Sequence, residues 1–425
     1  MALSKIWSAF IIIALFVAGM HVLSTGDSSI FKWMVIGKAD DIANPLKVDG
    51  IIQTCKNAIE LAINLIGIMA LFMGFMNIAE KAGGIRLLSK IIGPFFNKLF
   101  PDVPKNHPAL GHMMMNFSAN LLGLDNAATP FGIKAMESLQ SLNNEKQNAS
   151  NAQLMFLCLH ASGLTLIPVS IIAARSAISP AALDPTDIFL PCIIATFVAT
   201  MAAMFIVSFK QKINIFQPAI LIWVGSISAV MSLLVVYINK LSVEGVQSFS
   251  GVLSNGLILA IFFLIILGAL YKKINVFDAF VDGAKGGFET AIRIIPYLVG
   301  MLVAISLLRS SGSFDIIING AKSIFAALNA DTRFVDGLPT ALIKPFSGSG
   351  ARGMMISTMN EFGADSFAGR LSCVLQGSSD TTFYVIAVYF GAVGIKNTRY
   401  AISAMLLADL VGIITSIFLA YLFFG

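Results

Sequence analysis

The stretch Met115–Met136 reads MNFSANLLGLDNAATPFGIKAM. Polar side chains recur in it between glycine and proline residues, although the flanking sequence is a succession of apolar runs. Because an unsatisfied polar group in hydrocarbon costs several kcal/mol, a broken polar segment at membrane depth persists only where it faces protein or a water-filled cavity. The stretch is therefore typical of a binding or permeation site.

Three further stretches repeat this combination of polar residues and helix breakers. They are Leu159–Pro168 (LHASGLTLIP), Lys344–Gly353 (KPFSGSGARG) and Leu375–Tyr384 (LQGSSDTTFY). In each half of the chain, one stretch fits a re-entrant helical hairpin and the next fits a discontinuous helix. Four broken elements in two matching pairs predict an internally repeated membrane protein.

The composition places the chain among polytopic helical membrane proteins. Of its 425 residues, 57% are hydrophobic and 12% are charged, and the mean hydropathy is +0.83, which excludes an ordinary soluble domain. The basic residues behind the net charge of +5 are expected to mark the cytoplasmic side rather than a nucleic-acid partner. The four cysteines lack CxxC spacing, so neither a disulfide framework nor a zinc site is predicted.

The apolar runs predict about nine membrane spans and two re-entrant segments. The predicted spans are Ile6–Met20, Ala58–Met76, Gln153–Ala173, Pro191–Val207, Ile220–Ile238, Leu257–Leu270, Ile294–Leu308, Gly369–Val393 and Ala401–Phe424. Pro108–Leu142 and Leu338–Asn360 are the re-entrant segments. Two amphipathic segments, Glu80–Asn106 and Phe314–Leu328, accompany them. The first is expected to lie in the headgroup region on the cytoplasmic surface, with a solvent-facing connector as the open alternative.

The lysines and arginines predict an internal amino terminus and an external carboxyl terminus. In this arrangement the dense basic loops, among them Lys81–Lys105 and Lys272–Lys273, lie on the cytoplasmic side, as the positive-inside rule requires. Arg175, Lys240 and Lys322 then fall in sparsely basic external loops.

The two halves share short sequence matches at a constant spacing. Val48–Gly50 resembles Val281–Gly283, and Gly67 aligns with Gly300. The elements follow in the same order, and the predicted crossings give the halves opposite orientations. The sequence therefore predicts an all-α fold of two inverted repeats with re-entrant and discontinuous helices, as in secondary transporters. The predicted domains are an N-terminal span with an external loop (1–47), a first repeat (48–209), two linking spans (210–277) and a second repeat (278–425).

Long motifs in both halves resemble known families. His107–Glu137 (HPALGHMMMNFSANLLGLDNAATPFGIKAME) and Ser162–Arg175 (SGLTLIPVSIIAAR) resemble the spore maturation protein A family. Ile295–Gly312 (IPYLVGMLVAISLLRSSG), Lys344–Gly353 and Gly369–Ile395 (GRLSCVLQGSSDTTFYVIAVYFGAVGI) resemble the spore maturation protein B family. The chain therefore looks like a fusion of the two, each half carrying a Gate, or nucleoside-recognition, domain.

This resemblance implies a bacterial cytoplasmic (inner) membrane protein with a role in cortex maturation and core dehydration of spores. Gate domains also occur in ferrous iron transporter B and, more distantly, in nucleoside transporters. The sequence contains no GxxxxGK[ST] loop, so the GTPase half of the iron transporter has no counterpart in it. The resemblance identifies a fold rather than a substrate.

Two acids, Asp125 and Asp380, lie inside broken helices. A carboxylate at that depth usually serves coupling to H⁺ or Na⁺, and capping a half-helix amino terminus is its alternative role. The neutral polar groups around them suit a polar solute, and they suit hydrogen bonds between helices equally well. The predicted substrate- or ion-binding residues are Asn116, Asn120, Asp125, Asn126, Thr129, Ser162, Thr165, Ser347, Ser349, Gln376, Ser378, Ser379, Asp380 and Thr381.

Other charged and titratable residues near these stretches have more than one possible role. Lys344 and Arg352 flank the second re-entrant turn, where they either bind an anionic group or neutralise Asp380, and ion pairing within the protein is the favoured alternative. His112 and His160 lie near the first site, but without HExxH or clustered carboxylates no metal site is predicted. No catalytic constellation has a recognisable spacing, so neither an enzyme activity nor a cofactor is expected.

Two functions remain open from the sequence. One is a cation-coupled secondary transporter or channel for a small polar solute or ion; the other is a non-transporting scaffold or regulator of envelope or cortex (peptidoglycan) maturation. Bound solute between the broken regions favours the first, and a dry, self-satisfied contact favours the second. The expected partners are the lipid bilayer and a small polar solute or cation, with a homo-oligomer as an open alternative and no nucleic acid.

Overall fold

The computed structural model describes residues 2–38, 48–121, 125–238, 240–241, 243–329 and 331–425. Nearly all of the regular structure in these ranges is α-helical, as the sequence predicts. One short antiparallel pair, β1 (Gly37–Lys38) with β2 (Val48–Asp49), follows the second helix.

The amino-terminal part contains four helices: α1 (Ala2–Thr25), α2 (Ser29–Ile36), α3 (Ile51–Lys81) and α4 (Gly84–Leu99). The first two predicted spans lie within α1 and α3. Gly83 separates α3 from α4 with φ +85°, a left-handed conformation that glycine adopts without steric cost.

The first broken region consists of two pairs of short helices. The pairs are α5 (Pro108–Leu121) with α6 (Asp125–Leu142), and α7 (Asn151–Ala161) with α8 (Val169–Ala177). The hairpin and the interrupted helix predicted for this part of the chain are therefore both present.

The middle of the chain forms long helices, and the second broken region follows them. The long helices are α9 (Phe189–Gln211), α10 (Pro218–Ile238), α11 (Val243–Tyr271), α12 (Val276–Ser310) and α13 (Ser313–Ala327). After a 3-10 turn at Arg333–Gly337 come α14 (Leu338–Ile343), α15 (Gly348–Phe362), α16 (Phe367–Gly377), α17 (Thr382–Ala392) and α18 (Ala401–Phe424). The predicted breaks near Ser347 and Ser379 are confirmed.

Several helices are long and apolar enough to cross a membrane. By length and composition they are Trp7–Thr25, Ile51–Lys81, Phe189–Gln211, Pro218–Ile238 and Ala401–Phe424. Within α11, the part Asn255–Tyr271 is a shorter apolar helical segment. The prediction of a multi-pass membrane protein is confirmed at this level, and the inverted relation of the two repeats stays a prediction.

The chain folds into two compact units, each built from three separate segments. The first unit comprises Met1–Ile68, Ala173–Leu183 and Phe288–Gln376, and the second comprises Met69–Ile172, Asp184–Gly287 and Gly377–Gly425. Each unit therefore combines parts of both predicted repeats. The domain boundaries along the sequence stay a prediction.

The second unit has a core made from several helices. In it α5 packs along α6, and α18 packs along α9. Large side chains buried there include Phe96 of α4, Met113 of α5, Phe156 of α7, Met204 of α9, Tyr389 of α17 and Met405 of α18. This core holds the polar break between α7 and α8 against protein rather than lipid, the condition for non-helical backbone at membrane depth.

Helix α4 differs in part from the expected interfacial helix. The apolar residues Phe95, Phe96 and Leu99 are buried in the core of the second unit, whereas Leu87 and Ile91 are exposed. Since α4 packs on α5 and α10, protein covers one part of its apolar face. The expectation that this face lies wholly in the headgroup region is wrong for the part that packs on the core.

The first unit has its own, smaller core. It joins Ala14 and Ala18 of α1, Met34 of α2, Leu308 of α12, Phe314 of α13 and Met354 of α15. Ala14 and Ala18 are fully buried, and such small residues let membrane helices approach closely.

Candidate functional site

The first break, between α7 and α8, lies against a second chain break. Helix α7 starts with a capping box between Ser150 and Gln153, which fixes its amino terminus. Its carboxyl end turns at Gly163, where φ is +64° and a Cβ atom would lie 3.2 Å from the nitrogen of Asp380. The N–H of Asp380 donates to the carbonyl of Ala161 over 2.7 Å. Glycine is therefore required here by backbone conformation and by the close approach of the other break.

The second break, Ser378–Thr381, leads into α17. The carboxylate Oδ1 of Asp380 accepts from the N–H of Thr381 over 2.6 Å, and the hydroxyl of Thr382 donates to Oδ2 of Asp409 over 2.6 Å. Both acids thus lie at the amino terminus of α17, where the helix dipole stabilises negative charge. The Asp380 side chain is 45% exposed, whereas Asp409 is buried.

His160 stands at the centre of the polar residues of the second unit. Its Nδ1 lies 3.0 Å from Oδ1 of Asn116 and 2.8 Å from Nδ2 of Asn120. Its Nε2 lies 3.8 Å from Oδ2 of Asp380, and its side chain is 4% exposed. The ring of Tyr389 packs edge-on against the imidazole with centroids 4.7 Å apart. One buried imidazole therefore contacts residues of α5, of α17 and of the second break.

Asn116 also ties the two arms of the first hairpin together. Its Nδ2 donates to the carbonyl of Ala128 in α6 over 2.6 Å. At the end of α5 the carbonyl of Leu121 accepts from the N–H of Leu166, over 2.8 Å. The hairpin, the break after α7 and the break before α17 thus form one polar junction, defined by Asn116, Asn120, His160 and Asp380.

The remaining predicted residues of this unit differ in the hydrogen bonds and the burial of their side chains. The Ser162 hydroxyl lies 2.7 Å from the carbonyl of Leu159 and 2.9 Å from the hydroxyl of Thr200, and Thr165 donates to the carbonyl of Gly163. Among the other predicted residues, Thr129 is half-buried, and Ser378, Ser379 and Thr381 are buried. The hydroxyls of Ser162 and Thr165 stabilise the break itself.

Asp125 and Asn126 begin α6, but their side chains lie outside what the structure describes, as does all of Leu122–Leu124. The predicted contacts of these two side chains stay a prediction. Among the described residues, no group of three or more His, Cys, Asp or Glu side chains could hold a metal ion.

Three predicted site residues belong to the first unit. Ser347 caps α15, because its hydroxyl accepts from the N–H of Gly350 over 2.9 Å, and Ser349 is exposed on the first turn of that helix. The ammonium of Lys344 donates to the carbonyl of Gln376 over 2.6 Å. A buried lysine therefore stabilises the carboxyl end of α16, and its observed partner is a backbone carbonyl of the protein.

Arg175 corrects the predicted topology in one detail. The positive-inside pattern predicts that Arg175 lies in an external loop, but it lies in α8 and is fully buried. Its guanidinium donates to the carbonyl of Ala364 over 2.6 Å and to the carboxylate of Asp365 over 3.1 Å. A buried guanidinium requires such partners, since an unpaired charge inside the protein costs several kcal/mol.

The positions of His160, Tyr389 and Asp409 in the site are not predicted from the sequence. His160 is considered above only as a metal ligand, although it directly precedes the break Ala161–Pro168. Asp409 is the single acid of the apolar run Ala401–Phe424, and that signal marks a functional or capping acid in a membrane helix. Nothing in the sequence distinguishes Tyr389 from a packing aromatic.

Comparison with known proteins finds matches in both halves of the chain. The family model described as Gate, nucleoside recognition, matches residues 62–178 and 291–396. Spore maturation protein B of Bacillus subtilis (strain 168) is 49% identical over 175 residues, which cover 40% of this chain and 97% of that protein. Spore maturation protein A of the same strain is 41% identical over 158 residues, which cover 37% of this chain and 80% of that protein.

The two Gate matches contain the residues of the polar junction: Asn116, Asn120 and His160 lie in the first match, and Asp380 lies in the second. The two relatives each correspond to about 40% of the chain, which is consistent with a fusion. Since the Gate matches together cover more than half of the chain, this protein belongs to the nucleoside recognition (Gate) family of membrane proteins.

Proposed function

We propose that this protein is a cation-coupled secondary transporter of a small polar solute, and that the polar junction is part of its binding site. One observation carries the proposal: Asp380, a half-exposed carboxylate, lies where two interrupted helices meet. A carboxylate in a membrane-spanning unit is costly to retain, and coupling to a cation is a common reason for retaining it. No catalytic step and no cofactor enter the proposal.

The neutral groups around Asp380 support a polar solute. Asn120, Thr129 and Thr165 are only partly buried, and together they offer amide and hydroxyl donors and acceptors. Groups of this kind recognise solutes that carry several hydroxyl or amide groups. The family description names nucleosides, so nucleosides head the list of solutes to test.

A non-transporting scaffold of envelope or cortex maturation is the second candidate function. It is favoured by the closed hydrogen bonds of the first break, where the Ser162 hydroxyl is bonded within the protein and the Ala161 carbonyl accepts from Asp380. The names of the two relatives refer to spore maturation, which fits either candidate.

We further propose that the chain lies in the bacterial cytoplasmic membrane with its amino terminus inside. The dense basic loops support this orientation through the positive-inside rule. Single cysteines placed between Asn143 and Ser150 should react with an impermeant reagent from the inside only, and labelling from the outside only contradicts the orientation.

Uptake into liposomes tests the transport proposal. The purified protein is reconstituted, and nucleosides and other small polar metabolites are offered under an imposed proton or sodium gradient. Asp380→Asn keeps the size of the side chain and deletes its charge, so gradient-driven uptake should be lost. Asp282→Asn is the matched control, because Asp282 is an exposed acid of the second unit that pairs with Lys81, and this variant should transport normally.

Two outcomes contradict the proposal. Full uptake by both Asp125→Asn and Asp380→Asn, with unchanged proton and sodium dependence, removes the two carboxylates from the mechanism. Absence of uptake of every solute tested by well-folded wild-type protein, together with retention of an envelope enzyme on that protein, favours the scaffold.

A further inference from the structure

We propose that His160 and Asp380 form a proton-binding pair, which holds one exchangeable proton between the imidazole Nε2 and the carboxylate. This proton is the coupling cation of the proposed transport, and only this role rests on the proposed function. The pair itself follows from hydrogen bonds that determine which nitrogen of His160 carries a hydrogen.

The side-chain amide of Asn116 is held in one orientation. Its Nδ2 lies 2.6 Å from the carbonyl oxygen of Ala128, and because a carbonyl only accepts, the nitrogen and not the oxygen must face it. Asn116 is completely buried, so solvent does not compete for this bond. The amide oxygen is therefore directed at Nδ1 of His160, 3.0 Å away.

Nδ1 of His160 must consequently carry a hydrogen. An unprotonated Nδ1 could accept from Nδ2 of Asn120, but its lone pair would then face the fixed oxygen of Asn116 inside the protein. The amide of Asn120, 2.8 Å from the same nitrogen, presents its oxygen after a rotation of about 180°, which exchanges two atoms of nearly equal size. Both asparagines then accept from the same N–H.

With the hydrogen on Nδ1, a neutral imidazole presents a lone pair at Nε2. This lone pair faces Oδ2 of Asp380 at 3.8 Å, and an ionised carboxylate has no hydrogen to offer. One added proton removes the repulsion, either as an imidazolium–carboxylate pair or as a neutral imidazole with a carboxylic acid. Both forms have zero net charge, and loss of the proton leaves the pair with one negative charge on Asp380.

The helices that form the junction carry other titratable side chains in the described part of the second unit. Helix α17 contributes Tyr389, edge-on to the imidazole, and Tyr384. Helix α18 contributes Asp409, which accepts from Thr382, and α7 contributes the buried thiol of Cys158. His112 of α5 lies 2.9 Å from the hydroxyl of Ser138, so its Nδ1 has a partner of its own.

A proton fits this site better than a metal cation does. Hard cations bind through several oxygen ligands, whereas the atom opposite the carboxylate is the imidazole nitrogen of His160. Since Oδ1 of Asn116 faces Nδ1 of His160, this oxygen is directed away from the gap between Nε2 and Asp380.

The difference in exposure between Asp380 and His160 indicates the route by which the proton exchanges with solvent. The Asp380 side chain is 45% exposed and the His160 side chain only 4% exposed, so exchange takes place from the carboxylate side. After release of the proton, the Nε2 lone pair repels the charged carboxylate, and solvent on the exposed side of Asp380 stabilises its charge. Because the N–H of Asp380 joins the break to Ala161, a displacement of this residue acts directly on the junction of the two broken helices.

Nitrogen NMR of the wild-type protein in lipid tests the pair without any transport assay. The chain has four histidines, all labelled with ¹⁵N, and His160→Gln identifies the signals of His160. As the pH falls from about 9 to about 5, we expect Nδ1 of His160 to stay protonated while Nε2 either gains a proton or accepts a hydrogen bond from the protonated carboxyl of Asp380. In Asp380→Asn the amide can donate to Nε2, so His160 should remain neutral with hydrogen on Nδ1 over this range.

His112→Gln is the matched control, because it removes the histidine that contacts Ser138, and it should leave the His160 signals unchanged. A wild-type His160 with hydrogen on Nε2 and a bare Nδ1 overturns the inference. So does a shift of the His160 signals by sodium at constant pH. If NMR finds the proton but liposomes show no uptake, the pair stands and the proposed transport falls.

Discussion

Both units contain a half-helix whose last carbonyls need a donor, and they meet this need in different ways. In the second unit the Ala161 carbonyl of α7 accepts from the backbone N–H of Asp380. In the first unit the Gln376 carbonyl of α16 accepts from the ammonium of Lys344. A hydrogen bond from a charged donor contributes about 1.5–3 kcal/mol, against about 0.5–1.5 kcal/mol for a neutral one.

The two kinds of donor reflect a difference between the units: the first is stabilised by fixed charges, and the second holds a titratable pair. The first unit buries Lys344 and Arg175 with partners of the protein. The second unit places His160 and Asp380, whose protonation can change, beside a neutral backbone bond. A weaker, neutral bond at the junction is compatible with movement there, whereas a charged cap favours one fixed arrangement.

Arg175→Met should have the largest effect on stability. It leaves the Ala364 carbonyl without its buried donor and Asp365 with Arg370 as its remaining cation, 3.5 Å away, so the loss should lie near the lower end of the roughly 3–5 kcal/mol for breaking a buried ion pair. Thermal unfolding in detergent measures the loss. Arg333→Met, which removes an exposed arginine paired with Asp331, should cost no more than about 1 kcal/mol, and equal losses in the two variants contradict a fixed-charge role for Arg175.

Lys344→Met should have the next largest effect. The methionine fills similar volume but cannot donate to the Gln376 carbonyl, and an unsatisfied buried acceptor costs about 1–3 kcal/mol. The unfolding temperature should fall, whereas the His160 signals should not change. Lys322→Met is the control, because Lys322 pairs with Asp336 and is about a third exposed. An unchanged unfolding temperature for Lys344→Met shows that the charged cap contributes nothing.

Gly163→Ala should act on the junction itself. A left-handed residue other than glycine costs about 1–2 kcal/mol, and the new methyl group lies 3.2 Å from the nitrogen of Asp380. Gly394→Ala is a matched control, because Gly394 has φ +71° with open space around it. We expect only Gly163→Ala to lower uptake. Equal uptake in the two variants would show that the junction has no role in transport.

The sequence predicts the broken helices because their signals are local. Gly163 and the polar run Ser378–Thr381 interrupt apolar patterns, and the structure ends helices at both places. The contact between the two breaks is not predictable in this way, since Ala161 and Asp380 are more than two hundred residues apart. The same holds for the burial of Arg175, whose partner Asp365 lies far along the chain.

Asp282→Asn should have the smallest effect, and it shows whether acids of the second unit matter in general. The ammonium of Lys81, 2.8 Å away, lowers the pKa of the Asp282 carboxyl from its ordinary value by a hydrogen bond and by its charge. A lowered pKa means that the pair stabilises the fold above the ordinary carboxyl pKa and loses this contribution as the pH falls through the lowered value. At neutral pH the variant should unfold only slightly earlier than the wild type, because exposed ion pairs contribute little. Below the carboxyl range the two should unfold at the same temperature. A loss of uptake as large as that of Asp380→Asn means that any missing carboxylate in this unit impairs the protein, and the special position of Asp380 at the junction is then disproved.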